Sequence, residues 1–432
     1  MKSLSVFQIV LIAVFGAVAV AAVLIFAFAV GGNTSTSTGT VQIWGTLDAT
    51  AFNTVIRQAV ESDTRLSQVS YVQKEEATFV NDVTNALAGG QGPDLVLLRQ
   101  DYAYSEASKL IPVPYTSLSE TQFRNTFVEA ANPFLSESGV LGIPISVDPL
   151  VLYWNRDLLS TAGFAKPPLY WDELYEMARS ITKRDSGGKI TKSAIAFGEY
   201  VNVNNAKDIL AMLILQAGGN ITSRDAAGRV VPALSPKTGD PTQATPSALR
   251  FYTEFTDPSK DDYTWNRALP GSRQAFAAGD PALYVGYASE QPLILRMNPN
   301  LNFAAAPIPQ IRGAARALDT GRVYALVTPR TSANPTGAIT VAYALAASGI
   351  SKNLSTALGI PSARRDVLAL PAQGDDDLFN KQAIISRSWI DPNPAKTDTM
   401  FRAMIEDTTS GASLLSEAIT RAEQELEHIL GL

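Results

Sequence analysis

Side-chain catalysis needs nucleophiles, bases or metal ligands in usable arrangements, and this chain offers few. It contains no cysteine, which excludes thiol nucleophiles, thiolate zinc sites, iron–sulfur clusters and disulfides. Its one histidine, His428, stands close to the chain end on a polar helical stretch, where exposure is expected. A histidine triad or histidine-rich metal site is therefore not expected, and chemistry would rest on carboxylates, Lys, Tyr or Ser. Asp319-Thr320-Gly321 and Asp185-Ser186-Gly187 match the aspartic-protease tripeptide. That chemistry needs two carboxylates sharing a proton in a buried loop, whereas Asp185 sits among Lys183, Arg184 and Lys189 in a polar turn. Ser180–Lys183 and Ser186–Lys189 match S-x-x-K, and Lys237-Thr238-Gly239 matches K-T-G, the motifs of penicillin-binding serine enzymes. The S-x-N candidate, Ser351-Lys352-Asn353, falls after K-T-G, in the wrong order. There is no Walker A, H-E-x-x-H or G-x-S-x-G motif. No enzyme is expected, although a carboxylate-pair glycan hydrolase stays open because its acids need not be adjacent in sequence. Asp375-Asp376-Asp377 reads as an acidic solvated loop rather than a calcium site, and no cofactor or metal is expected.

The remaining chemistry is recognition. The stretch from Gly142 to Asn155 (GIPISVDPLVLYWN) reads as a strand, a break at Asp148-Pro149 and a second strand, since Pro149 cannot donate to a ladder. Such an interruption suits a chain that leaves one lobe and enters another, with a ligand cleft where the lobes meet. At 432 residues the chain is too long for one ordinary core, so at least two domains are expected. A net charge of −6, with no Lys/Arg run, argues against a nucleic-acid footprint.

Before Gly142 the pattern alternates. Val41–Trp44 reads as a strand, and Phe52, Val55, Ile56, Ala59 and Val60 make a helical stripe within 48–61. Val69–Gln73 is a strand, 77–88 a helix ended by Gly89-Gly90-Gln91-Gly92-Pro93, and Asp94–Leu98 an unalternating buried strand. This β-α-β-α-β order predicts an α/β doubly wound sheet whose ligands sit beyond the carboxyl ends of strands. Gly45-Thr46, Lys74-Glu75-Glu76 and Arg99-Gln100-Asp101 stand there. Further on, Ile195–Phe197, Ala282–Val285 and Val323–Val327 read as strands, and Asn302–Pro307 as a return crossover. Helices are expected over 171–181, 206–217, 246–255, 273–278 and 290–297, from Asn334 as cap with Pro335 in the first turn, and over 412–430.

Leu4 to Val30 is almost unbroken apolar sequence, long enough to span a bilayer and longer than a usual signal-peptide core. A retained N-terminal transmembrane helix is expected, with cleavage near Ala27-Phe28-Ala29 the alternative. Lys2 places the N-terminus inside and the body outside. Gly31–Thr40 (GGNTSTSTGT) is a flexible tether.

Taken together, these segments resemble the extracellular solute-binding proteins of ABC importers, of the type that bind sugars. Four pieces carry the resemblance. Leu87–Val96 resembles the family's helix–turn–strand ending in G-x-x-P-D-[VL]. Gly142-Ile143-Pro144 through Leu152-Tyr153-Trp154-Asn155-Arg156-Asp157-Leu158-Leu159, with Pro167–Leu174, resembles its crossover. Phe276–Gly286 resembles F-x-x-G-x-A-A-M-x-x-G, and Pro361–Leu368 its late P-x-R-x-x-V-L turn.

The resemblance implies a two-lobed periplasmic-binding-protein-like fold of type II, with lobe 1 at about 40–147 and 306–347 and lobe 2 at about 148–305 and 348–432. It implies a monomer that closes on a small solute, a carbohydrate, by hinge motion and delivers it to ABC permease subunits in the membrane. Other readings are a peptide, polyol or polyamine ligand, or a surface scaffold. Sugar sites need aromatic faces and planar polar groups. The candidate residues are therefore Trp44, Thr46, Glu76, Asp101, Asp148, Tyr153, Tyr200, Tyr287, Glu290 and Arg322. Tyr153 and Trp154 alternate faces, so at most one should reach the cleft; Tyr287 stands where many family members have Trp.

Overall fold

The organising strand is longer than its sequence suggests. In the computed structural model, which describes residues 38–235 and 243–432, Gly142–Asn155 is one continuous strand with no break at Asp148-Pro149. We number eight strands: β1 (Val41–Gly45), β2 (Val69–Gln73), β3 (Leu95–Arg99), β4 (Gly142–Asn155), β5 (Leu283–Tyr287), β6 (Phe303–Ala306), β7 (Asp319–Val327) and β8 (Ser386–Arg387). They form one mixed sheet in the order β5-β4-β7-β3-β1-β2, with β6 also on β4 and β8 on β7. Residues 142–149 of β4 pair with β7, whereas 150–154 pair with β5. Pro149 falls at this change of partners, opposite Gly321. Its missing amide donor therefore interrupts no established ladder, and the strand runs on.

β1, β2 and β3 are parallel neighbours joined by helices α1 (Ala49–Ala59) and α2 (Phe79–Ala88), as the alternating pattern predicted. Asp48 caps α1 by accepting from the Ala51 amide at 2.7 Å. β7 returns antiparallel between β3 and β4. Asn302–Pro307, expected as a return crossover, instead supplies β6, which pairs only with the far half of β4. Ile195–Phe197 is no strand; Ile195 makes a single bridge to Leu283.

Two large hydrophobic cores lie within the described residues, beside a smaller cluster around Tyr153, Phe276 and Tyr284. One gathers Val41 to Val147 with Val323–Val327, and the other begins at Leu150 and extends to Leu426. The change occurs between Val147 and Leu150, on either side of Asp148-Pro149. The stretch 348–432, expected in the second lobe, divides between the cores. Leu354, Ile360, Ala363, Leu368 and Ala383 pack in the first, while Met400, Phe401 and Leu426 pack in the second. The helices concerned are α3 (Ala206–Gln216), α4 (Pro335–Leu345), α5 (Ser348–Leu358), α6 (Gly374–Ile385), α7 (Pro394–Thr409) and α8 (Leu415–Leu430). Asn334 caps α4 through the Gly337 amide, with Pro335 at its start. Asp375–Asp377 open α6 rather than forming a loop.

Among the described residues no helix is long and apolar enough to cross a membrane. The expected anchor, Leu4–Val30, lies outside the described residues, as does most of the tether.

Candidate functional site

A cavity of about 500 Å³, lined largely by polar side chains, opens between groups attached to the two cores. Arg99, Asp101 and Tyr102 come from the carboxyl end of β3, and Tyr102 packs on the first core. Tyr200, Val203 and Ala206, at and before the start of α3, pack in the second. Arg322 of β7 and the first turns of α7 complete the lining.

Local structure explains why these groups face the cavity. Arg322 is the one residue of β7 that is not buried. Asn205 adopts a left-handed conformation, φ 61°, at the start of α3. Its side chain turns away from its own helix and donates to Glu290 at 2.8 Å. Lys207 and Asp208 then lie in the first turn of a helix otherwise almost wholly buried.

Most charge on the cavity wall is paired. Arg99 binds Asp101 with both arms of its guanidinium and reaches Glu76 at 2.8 Å. Burial pushes the Asp101 carboxyl up, but the Arg99 charge, helped by Lys207 and Arg322, holds it below its ordinary range. Arg322 meets Asp208 at 3.0 Å and lies over the Tyr287 ring at 4.0 Å. Lys207 donates to Asp391 and Thr397 at 2.7 Å each and to the Pro394 carbonyl at 3.3 Å. Asp398 accepts from the Tyr200 hydroxyl. Burial and that carboxylate raise the Tyr200 phenol, which stays protonated. The wall can therefore present fixed donors, acceptors and ring edges to a polar solute. Among the described residues no group of acidic or histidine side chains is arranged to hold a metal ion.

The structure brings Asp101, Tyr200 and Arg322 together on the lining. Tyr287 lies immediately behind, 2% exposed beneath Arg322. Asp148 is also behind the wall, its carboxylate accepting from the Ser289 amide at 3.0 Å. Glu290 is buried and accepts from Asn205, Tyr284 and the Tyr287 amide, so it braces the wall from inside. Glu76 is exposed and touches the site only through Arg99.

Three of the expected residues are elsewhere. Tyr153 is fully buried, its hydroxyl donating to the carbonyls of Tyr287 and Ala288 and its ring packed with Tyr284, Phe276 and Phe303. Of the two alternating residues, Trp154 is half-buried and Tyr153 is core. Trp44 and Thr46 stand half-buried at the end of β1 and do not line the cavity. The Trp44 indole donates to Gln42 and lies under the Lys74 ammonium at 3.7 Å.

Sequence reasoning missed Lys207, Asp208, Asp398 and Arg402 on the lining. Lys207 and Asp208 carried a usable signal: two charges in the first turn of a buried apolar helix, just after the polar 200–205 loop. Asp398 and Arg402, at i,i+4 spacing, carry no sequence signal that separates them from an ordinary surface pair.

The family model for bacterial extracellular solute-binding proteins matches residues 67–348. A binding protein of Brucella abortus (strain 2308) is 26% identical over 104 residues, which is 24% of this chain and 25% of that protein. The match thus spans about a quarter of the relative's length. Among solved structures, the cyclic alpha-maltosyl-1,6-maltose binding protein of Arthrobacter globiformis superposes with TM-score 0.73 at 16% identity, covering 90% of this chain and 98% of that one. A solute-binding protein of an ABC transporter from Thermotoga lettingae, bound to alpha-D-tagatose, gives 0.67 at 21% identity, covering 91% and 100%. At these identities the likeness is one of fold, here the α/β fold of the periplasmic binding proteins.

Proposed function

The chain belongs to the bacterial extracellular solute-binding proteins, which bind and do not catalyse, and from that premise we propose that it captures a carbohydrate outside the cytoplasm and hands it to an ABC permease. The observation that carries this reading is the 500 Å³ polar cavity between the two cores, lined by paired charges and tyrosines. Similar folds holding tagatose and mannotriose support the carbohydrate assignment. The lobes we assign are the two cores, with β4 and β7 as the strands crossing between them. Binding would favour a closed arrangement by bridging the β3 end to α3 and α7, and the ligand can shift that equilibrium only by its differential affinity for the closed state. The ligand-contacting set we propose is Asp101, Tyr200 and Arg322, joined by Tyr102 and Asp208. Leu4–Val30 would tether this body to the membrane.

A thermal-shift series on the full-length protein tests the reading. Mono- and oligosaccharides, polyols, amino acids and polyamines are each titrated, since a ligand that binds only the folded state raises Tm with concentration. A saccharide that does so supports the proposal. A shift confined to amino acids or polyamines overturns the carbohydrate assignment while keeping a binding protein. Arg322→Ala should abolish the saccharide shift; an unchanged shift in that variant would move the site elsewhere.

A further inference from the structure

The charges on the cavity wall are unequal in their commitments. Four cations, Arg99, Lys207, Arg322 and Arg402, face three carboxylates, Asp101, Asp208 and Asp398, although the chain as a whole carries 41 acidic residues against 35 Lys and Arg. Arg99 and Arg322 donate to carboxylates, and Lys207 spends its three protons on Asp391, Thr397 and the Pro394 carbonyl. Arg402 differs. Its one ion pair is to Asp398 at 3.8 Å, beyond hydrogen-bond reach, and its side chain is 50% exposed. Asp398 already accepts from the Tyr200 hydroxyl. Among the described residues Arg402 has no hydrogen bond, so a planar fork of five N–H donors is presented at the cavity with its partners still to come.

The rings point the same way. A neutral sugar usually lays its apolar face on an aromatic ring. Here the rings on the lining, Tyr200 and Tyr102, each already carry a side-chain cation on one face, at 5.2 and 5.6 Å, and Tyr287 lies buried beneath Arg322. Free ring faces are scarce in this cleft, whereas the Arg402 guanidinium still has donors to offer.

We propose that Arg402 is a specificity-determining residue of the cleft and that the ligand is a saccharide bearing an oxoanion, which the Arg402 guanidinium binds as a fork. This rests on the carbohydrate reading above and narrows it. A carboxylate or phosphate group would displace the long Asp398 contact and take paired donors from Arg402, a geometry that guanidinium matches and ammonium does not.

The test uses full-length protein at low ionic strength, where such pairing is least screened. Calorimetric affinities are measured for galacturonate and its disaccharide, for glucose 6-phosphate, for the neutral parents galactose and glucose, and for inorganic phosphate. The expected result is at least about tenfold tighter binding of one oxoanionic sugar than of its neutral parent, as a fork of charge-assisted bonds would give. The uronate and phosphate arms distinguish the two sources of the group. Arg402→Gln should collapse that preference and Arg402→Lys should restore only part of it, with the unliganded Tm of both variants reporting that they fold. Equal or tighter binding of the neutral parents, or a preference that survives Arg402→Gln, overturns the proposal and leaves the carbohydrate reading standing. Binding of inorganic phosphate as tight as the sugar phosphate overturns the saccharide part. Failure of every saccharide, neutral and acidic, overturns both.

Discussion

The cleft and the crossing strands lie side by side and both bury charge, yet they treat it in opposite ways. On the cleft wall Arg99, Arg322 and Lys207 each meet a carboxylate within 3.0 Å. In β4 and β7, Asp148 and Asp319 are buried to 2% and 0% exposure and have no ion pair among the described residues. Asp148 has the Ser289 amide as donor, and Arg322 lies near enough to lower its pKa while Glu290 opposes. Burial wins and lifts the Asp148 carboxyl to about 6. Asp319 has only the Thr320 amide on one oxygen, the other lacking a partner, and burial raises it well above the carboxylate range. Paired charges cost their desolvation and regain it by Coulomb attraction, whereas an unpaired carboxyl regains it by holding a proton. The first arrangement keeps charge in place for a solute to meet. The second makes the strands between the cores sensitive to pH.

The contrast can be broken most severely at Lys207. Removing one partner of a buried pair strands the other. Lys207→Met leaves Asp391, 2% exposed, without its cation. The expected loss is about 3–5 kcal/mol in denaturant-unfolding free energy, largely recovered by adding Asp391→Asn. A variant as stable as the parent would show that the wall does not depend on pairing.

Asp148→Asn tests the opposite arrangement. Because the folded-state pKa lies above the ordinary value, the folded protein holds more protons than the unfolded chain between about pH 4 and pH 6. Stability therefore falls as pH rises through that window and is flat above it. Asparagine keeps the acceptor for Ser289 and carries no charge. The variant should match the parent near pH 4 and exceed it near neutrality by at most about 3 kcal/mol. Destabilisation at neutral pH would mean that Arg322 stabilises the carboxylate as a true partner.

Tyr153→Phe gives the smallest change. Its hydroxyl reaches two carbonyls, at 2.8 and 3.1 Å, so the loss should be about 1–2 kcal/mol of stability. Ligand affinity should not move, since the ring is in the core. A selective drop in affinity would return Tyr153 to the site.

The fold was largely legible because its signals are local. Strand runs, helix stripes and the Asn334 cap depend on neighbouring residues, and the sheet beginning at β1 has the predicted order. The strand expected at Ile195–Phe197 failed because an apolar run beside a buried helix packs well without a ladder. The break at Pro149 failed because proline's missing donor matters only where a neighbour awaits it. Of the site, Asp101, Tyr200 and Arg322 were reachable because strand ends and adjoining polar loops face clefts in α/β sheets. Trp44 obeyed the same rule and misled, since its partner Lys74 lies at the next strand end and covers it locally. Asp398 and Arg402 were hidden because which face of an amphipathic helix meets a cleft is decided by packing far away in sequence.

The first core is begun by Val41 and finished by Leu354, Leu368 and Ala383. A ribosome must release nine-tenths of the chain before that core can close, even though its sheet starts with the first strand made. Contacts so distant in sequence slow folding, so the nascent body should stay open for most of its synthesis. Its early β-strands, β1 to β3, would then be the surfaces most in need of a chaperone while they wait for their partners.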